Sequence, residues 1–140
     1  MGLRIRALTF DASHPRTVAD FWAAALGYEV APYTDEEISR LRALGVDDVR
    51  DDPSVLVRPP GDGPVMFFTK VPEGKTVKNR LHLDLAPDGD LQVEVERLVR
   101  LGAHVVARFE EEHGARAVMR DPEGNEFCVE RTARDVAPST

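Results

Sequence analysis

Apolar and polar residues interleave with a period near two from Leu3 to Asp11, where Ile5, Leu8 and Phe10 mix with Arg4, Arg6 and Thr9. This predicts a first strand with Ala7, Thr9 and Asp11 on one face. The period then lengthens: Val18, Phe21, Trp22, Ala25 and Leu26 recur at helical spacing, with Pro15 suited to the first helical position, Ser13 or His14 to the cap and Gly27 to the stop. A short strand around Tyr28 to Ala31 follows. Thr34 and Glu37 have capping-box spacing ahead of Ile38, Leu41 and Leu44, which predicts a second helix ending at Gly45. Acidic Asp47 to Asp52 reads as a solvated loop. Val55 to Val57 and Val65 to Thr69 read as a hairpin around Pro59-Pro60-Gly61-Asp62-Gly63-Pro64. In its second arm Met66 and Phe68 share one face, Phe67 and Thr69 the other.

After a linker at Pro72-Glu73-Gly74-Lys75 the order repeats. A strand is expected over Arg80 to Leu85, then a helix with Leu91, Val95, Leu98 and Val99 on its core face, capped within Asp88-Gly89-Asp90 and ended by Gly102. Strands at Ala103 to Arg108, Ala115 to Arg120 and Glu126 to Arg131 complete the half, the last two joined by Asp121-Pro122-Glu123-Gly124-Asn125. Leu26-Gly27-Tyr28-Glu29-Val30 recurs as Leu101-Gly102-Ala103-His104-Val105, and Arg58-x-Pro60 as Arg120-x-Pro122. The expectation is an α+β chain: one domain over 1–132 built of two βαβββ repeats, about 3–70 and 78–131, with 133–140 as a flexible tail. Two such modules, paired as a curved mixed sheet with helices outside, would offer a concave face for a small ligand.

Composition narrows the function classes. With 140 residues at 42% hydrophobic, one ordinary core is affordable. A formal charge of −7 disfavours nucleic acid or an anionic membrane as partner. The single Cys128 excludes an intramolecular disulfide and four-cysteine zinc sites, and with no signal-peptide pattern it suggests the cytoplasm. No run is long enough to span a bilayer. Phosphate loops, HExxH and Gly-x-Ser-x-Gly are absent. Glu110-Glu111-Glu112-His113-Gly114 reads as an exposed hairpin tip, and His14 and His104 have no partner at a diagnostic spacing.

Three segments together carry a family resemblance: Asp20-Phe21-Trp22 through Val30, Lys75-Thr76-Val77-Lys78-Asn79-Arg80-Leu81-His82-Leu83-Asp84-Leu85, and Asp121 through Cys128-Val129. In this order and spacing the chain resembles the vicinal oxygen chelate superfamily, and within it the glyoxalase-like domain proteins common in actinobacteria. The resemblance covers about residues 3 to 131. It implies the paired βαβββ fold of glyoxalases, bleomycin-resistance proteins and dioxygenases, usually as a homodimer or fused tandem. It also implies either lyase- or isomerase-type chemistry on a small organic ligand or sequestration of a drug or metabolite, as in antibiotic resistance. Many members hold a divalent metal (Zn, Ni, Mn or Fe) that chelates adjacent substrate oxygens.

His82 matches a metal-binding histidine of the superfamily, so it is a candidate ligand or acid/base, the alternative being a plain cleft-wall histidine. Arg80 and Asp84 share its parity, and Asp84 is placed to orient the imidazole. At the other usual ligand positions stand Ala7, or Thr9 in a shifted register, and Cys128, which makes true glyoxalase I activity unexpected. A Cys128 thiolate with His82 would suit zinc, with Asp11 as a weak third candidate; buried packing is the commoner fate of such a cysteine. Glu126 and Glu130 share parity with Cys128 and are candidate bases. Trp22, Met66, Phe68 and Met119 are candidate apolar ligand contacts, with core packing as the alternative for each. Lys78 and Arg80 are candidate anion contacts.

Overall fold

The computed structural model describes residues 2–132. The chain divides between Gly74 and Lys75 into two compact units, each built on one four-stranded mixed sheet. In the first, β1 (Ala7–Ala12), α1 (Pro15–Leu26), β2 (Glu29–Val30), α2 (Asp35–Ala43), β3 (Ser54–Arg58) and β4 (Val65–Lys70) follow in order. The second has β5 (Leu83–Leu85), α3 (Leu91–Leu101), β6 (His104–Glu111), β7 (Gly114–Arg120) and β8 (Glu126–Thr132). The strand orders are β1-β4-β3-β2 and β5-β8-β7-β6, and in each sheet only the first pair is parallel. The α+β architecture is therefore one βαβββ topology written twice. The tail expected at 133–140 lies outside the described residues.

Local chemistry sets the helix ends. Thr34 accepts from the Glu37 N–H and Asp90 from the Val93 N–H, each satisfying an orphan donor of the first turn. Gly27 closes α1 at φ 68°, a left-handed conformation that suits glycine. In the loop before β3, the Tyr33 hydroxyl donates to Asp52 Oδ2 at 2.7 Å, and Asp52 Oδ1 accepts from Ser54 N. Burial, then the Asp52 carboxylate, pushes the Tyr33 phenol well above its usual range. No helix among the described residues is long and apolar enough to cross a membrane.

One face of each sheet is covered by helix. In the first unit Trp22 of α1 stacks on Phe10 at 6.2 Å, and Phe10 stacks on Phe68 at 5.2 Å, while Phe21 meets Trp22 edge-on. Val55, Val57 and Met66 are buried with them. In the second unit Val95 and Leu98 of α3 are buried, as are Ala117, Met119, Phe127 and Val129 of β7 and β8.

Two strands are shorter than the sequence predicts. Leu3 to Arg6 lie outside β1, with Leu3 and Ile5 exposed, because the partner strand begins only after the Gly63-Pro64 turn and the pairing opens at Ala7 with Val65. Likewise β5 covers Leu83–Leu85 rather than Arg80 to Leu85, since its ladder with β8 opens at Leu83 and Phe127. Leu44 is exposed beyond the end of α2, and Val99 is exposed on α3.

The phase of β4 has a measurable consequence. Phe68→Ala empties a fully buried site and is expected to cost about 3–5 kcal/mol. Phe67→Ala, on the opposite face and only half-buried, is expected to cost under about 2 kcal/mol. Urea unfolding of the two variants checks this ranking, and equal losses would contradict the assigned face.

Candidate functional site

The second sheet carries the chemistry on the face that α3 leaves open. Phe127 and Val129 point into the core, so Glu126, Cys128 and Glu130 between and beside them project from the other side of β8. In the parallel ladder Asp84 is paired directly with Cys128. His82, just before β5, places Nδ1 2.8 Å from Asp84 Oδ1. Both side chains keep access to solvent, at 47% and 44% exposure. With Nδ1 donating to the carboxylate, a neutral imidazole carries its free lone pair on Nε2.

Asp84 also faces the Cys128 thiol across the ladder. Burial pushes that thiol pKa up, and the charges of Asp84 and Glu130 and the bond to Asp84 add to the effect. One carboxylate thus holds an imidazole on one side and a protonated thiol on the other. His82, Asp84 and Cys128, all expected from the sequence, are brought together. Arg80 has the expected parity but sits exposed and outside the strand.

The segment leading into β5 is fastened to the turn before β8. Lys78 Nζ pairs with Glu126 Oε2, and this ammonium holds the Glu126 carboxyl below its usual range. Both candidates are thereby committed to each other. Asn79 Oδ1 accepts from Glu126 N at 3.1 Å, and its Nδ2 donates to Leu81 O at 3.2 Å. Asp121, fully buried, accepts from Glu123 N and Asn125 N, which fixes the turn. Sequence reasoning placed Asn79 in a basic run and Asp121 at the opening of a turn, and assigned neither this bracing role. For Asp121 a signal was present, since an aspartate two residues before the Glu-Gly of a tight turn is placed to bond the backbone ahead of it.

Four of the expected ligand contacts lie elsewhere. Trp22, Met66, Phe68 and Met119 are fully buried within their own units and absent from the open faces. Their volume goes to core packing. On the first sheet the open face carries Thr9 and Asp11 of β1 beside Phe67 and Thr69 of β4. Asp11 is not part of the donor cluster in the second unit.

The implied divalent metal can be tested against this geometry. One ligand atom from each of His82, Asp84 and Cys128 lies within 4.8 Å of the others, so these three are the donors that converge. His82 and Cys128, with Asp84 either as a third donor or as the carboxylate that orients the ring, are thus the residues that could hold a divalent metal, which would polarise a bound oxygen.

Asp84→Asn removes both a negative charge and a thiol acceptor, so the Cys128 pKa is expected to fall and thiolate to appear at lower pH. The pH dependence of Cys128 alkylation by iodoacetamide reads this directly. An unchanged or higher midpoint would refute the hold of Asp84 on the thiol.

Comparison with known proteins agrees with the architecture. Fosfomycin resistance protein FosX from Listeria monocytogenes is 10% identical, with 98% of this chain and 100% of that chain covered and a TM-score of 0.66. A mutant of the same protein, complexed with Mn(II) and 1S,2S-dihydroxypropylphosphonic acid, gives 10% identity, 95% and 91% coverage and a TM-score of 0.65. TnmS3, an antibiotic binding protein from Streptomyces sp. CB03234, is 18% identical, with 94% and 98% covered and a TM-score of 0.56. At these identities the likeness is one of fold. No curated protein sequence matches the chain. The family profile described as "Glyoxalase-like domain" matches residues 7–130, nearly the whole described chain, and this protein belongs to that family.

Proposed function

We propose that this chain is a lyase- or isomerase-type enzyme acting on a small organic molecule held over the open face of its second sheet, with His82 as proton acceptor and donor. The observation that carries the reading is the 2.8 Å contact of His82 Nδ1 with Asp84, which orients a half-exposed ring and leaves Nε2 outside that contact. A base so placed removes a proton from carbon next to a carbonyl, and the electron pair moves into the carbonyl oxygen. Where that carbon carries a hydroxyl, its proton passes to the enolate oxygen, and return of the first proton from His82 to the former carbonyl carbon leaves the carbonyl on the neighbouring carbon and completes an isomerisation. Loss of a β-leaving group instead completes an elimination. Asp84 stabilises the imidazolium between the two steps. The Lys78–Glu126 ion pair braces the segment that leads to His82. The cycle as drawn uses no metal.

A second reading has its own support. Lys78 and Glu126 are paired with each other and Asp84 with the His82 ring, which leaves a fixed surface for a ligand, and one neighbour of the same fold is an antibiotic binding protein. It predicts stoichiometric binding without turnover.

Solvent deuterium exchange into a panel of α-hydroxy ketones and α-keto acids, followed by proton NMR, separates the two. Catalysis predicts exchange that falls at least about 100-fold in His82→Ala. Full exchange in that variant would overturn the role of His82, and exchange with no compound beside saturable binding would favour sequestration. The metal-free cycle predicts that Zn²⁺, Ni²⁺, Mn²⁺ and anaerobic Fe²⁺ added to chelator-stripped protein leave Tm within about 1 °C. A saturable rise in Tm that is lost in His82→Ala would replace the metal-free cycle with a metal-assisted one.

A further inference from the structure

Beyond Cys128 the open face of the second sheet continues into a depression of about 470 Å³, within the size range of small-molecule sites. The ladder defines its geometry. Phe109 of β6 is paired with Arg116 of β7, and Arg116 with Glu130 of β8, so the three form one row across the sheet. Glu130 follows Cys128 by two residues on the same face, roughly 7 Å along the strand. Glu130 at the depression and Cys128 at the near edge of the cluster therefore share one face of β8, with His82 farther on, beyond Asp84.

Its walls favour a particular chemistry. The Arg116 guanidinium lies over the Phe109 ring, 4.6 Å from the centroid, which makes a cation–π stack of two flat groups. Even so Phe109 remains 42% exposed and the Arg116 side chain 44%, so the stack leaves planar surface open. Gly114 keeps the end of the depression clear of a side chain. A Cβ there would lie 2.3 Å from Arg131 O, so the close approach of β7 to β8 admits only glycine. Glu111, 3.9 Å from Arg116, and Glu130, opposite it in the ladder, offset the guanidinium charge. A strongly charged ligand gains little here, whereas a flat ring extends the stack and buries apolar area.

We infer that this depression takes a flat aromatic ring system bearing a hydroxyl or carbonyl oxygen, stacked on the Phe109–Arg116 pair with its oxygenated end directed along β8 toward His82. The direction of that end rests on the proposed role of His82; the stacking does not. The test is an NMR amide titration of the full chain with 2-naphthol and with its saturated counterpart decahydro-2-naphthol. Stacking predicts saturable shifts centred on Phe109, Arg116 and Glu130, with affinity at least tenfold higher for 2-naphthol. It also predicts that Arg116→Ala and Phe109→Leu, the latter keeping an apolar side chain but no π face, each weaken 2-naphthol at least fivefold. Equal affinity for the two alcohols, shifts centred elsewhere, or binding of neither would overturn the inference. Failure of stacking with His82-dependent exchange intact overturns this inference alone, and stacking with His82-independent exchange overturns only the catalytic reading.

Discussion

A sheet covered by helix on one side sorts every strand residue into two classes, and this period of two governs the molecule more than any single contact. Under α1 the run Trp22, Phe10 and Phe68 forms one aromatic stack, and it pins the phase of β1 and β4 together. Under α3 the same role falls to Met119, Phe127 and Val129. Once those residues are inside, their neighbours must be outside. The placement of Asp84 beside Cys128 on the open face follows from the burial of Phe127 and Val129, without any separate force to aim them.

On that face the arrangement turns on how many donors Asp84 serves. The Asp84 carboxylate beside Cys128 raises the cost of a thiolate and keeps the sulfur protonated to higher pH, while its contact with Nδ1 orients the His82 ring. A metal held by this group would displace the thiol proton, while a carboxylate on Nδ1 would still orient the ring toward it.

How far this was legible depended on whether a strand carries polar residues on one parity only. In β8 the order Glu126, Phe127, Cys128, Val129, Glu130 announces its own phase, and the shared face of Cys128 with Glu126 and Glu130 was readable from sequence. In β4 the run Val65, Met66, Phe67, Phe68 is apolar on both parities, so alternation identifies the pairs but not which pair is inside; only the stack with Phe10 decides it. Met119 was ambiguous for the same reason beside Val118. The helix caps and the Pro/Gly turns were legible because they depend on local backbone chemistry. The starts of β1 and β5 were not, because a strand extends only as far as its partner does, and that partner lies some 40 to 60 residues away in sequence. The bracing by Asn79 was hidden likewise, since its partners Glu126 and Asn125 come from a distant turn.

The duplicated topology allows one more comparison. In each unit the first strand lies parallel to the last, and between the buried pairs sits one pair facing outward. In the second unit that pair is Asp84 with Cys128; in the first it is Thr9 with Phe67. The same ladder position thus holds a carboxylate and a thiol in one copy, and a hydroxyl and a phenyl ring in the other. Neither threonine nor phenylalanine ionises near neutral pH, and the carboxylate on the first unit's open face, Asp11, lies in the next outward pair, opposite Thr69. Two copies of one fold can diverge in this way at little cost to stability, because the outward residues lie opposite the helix-covered core that holds each sheet together.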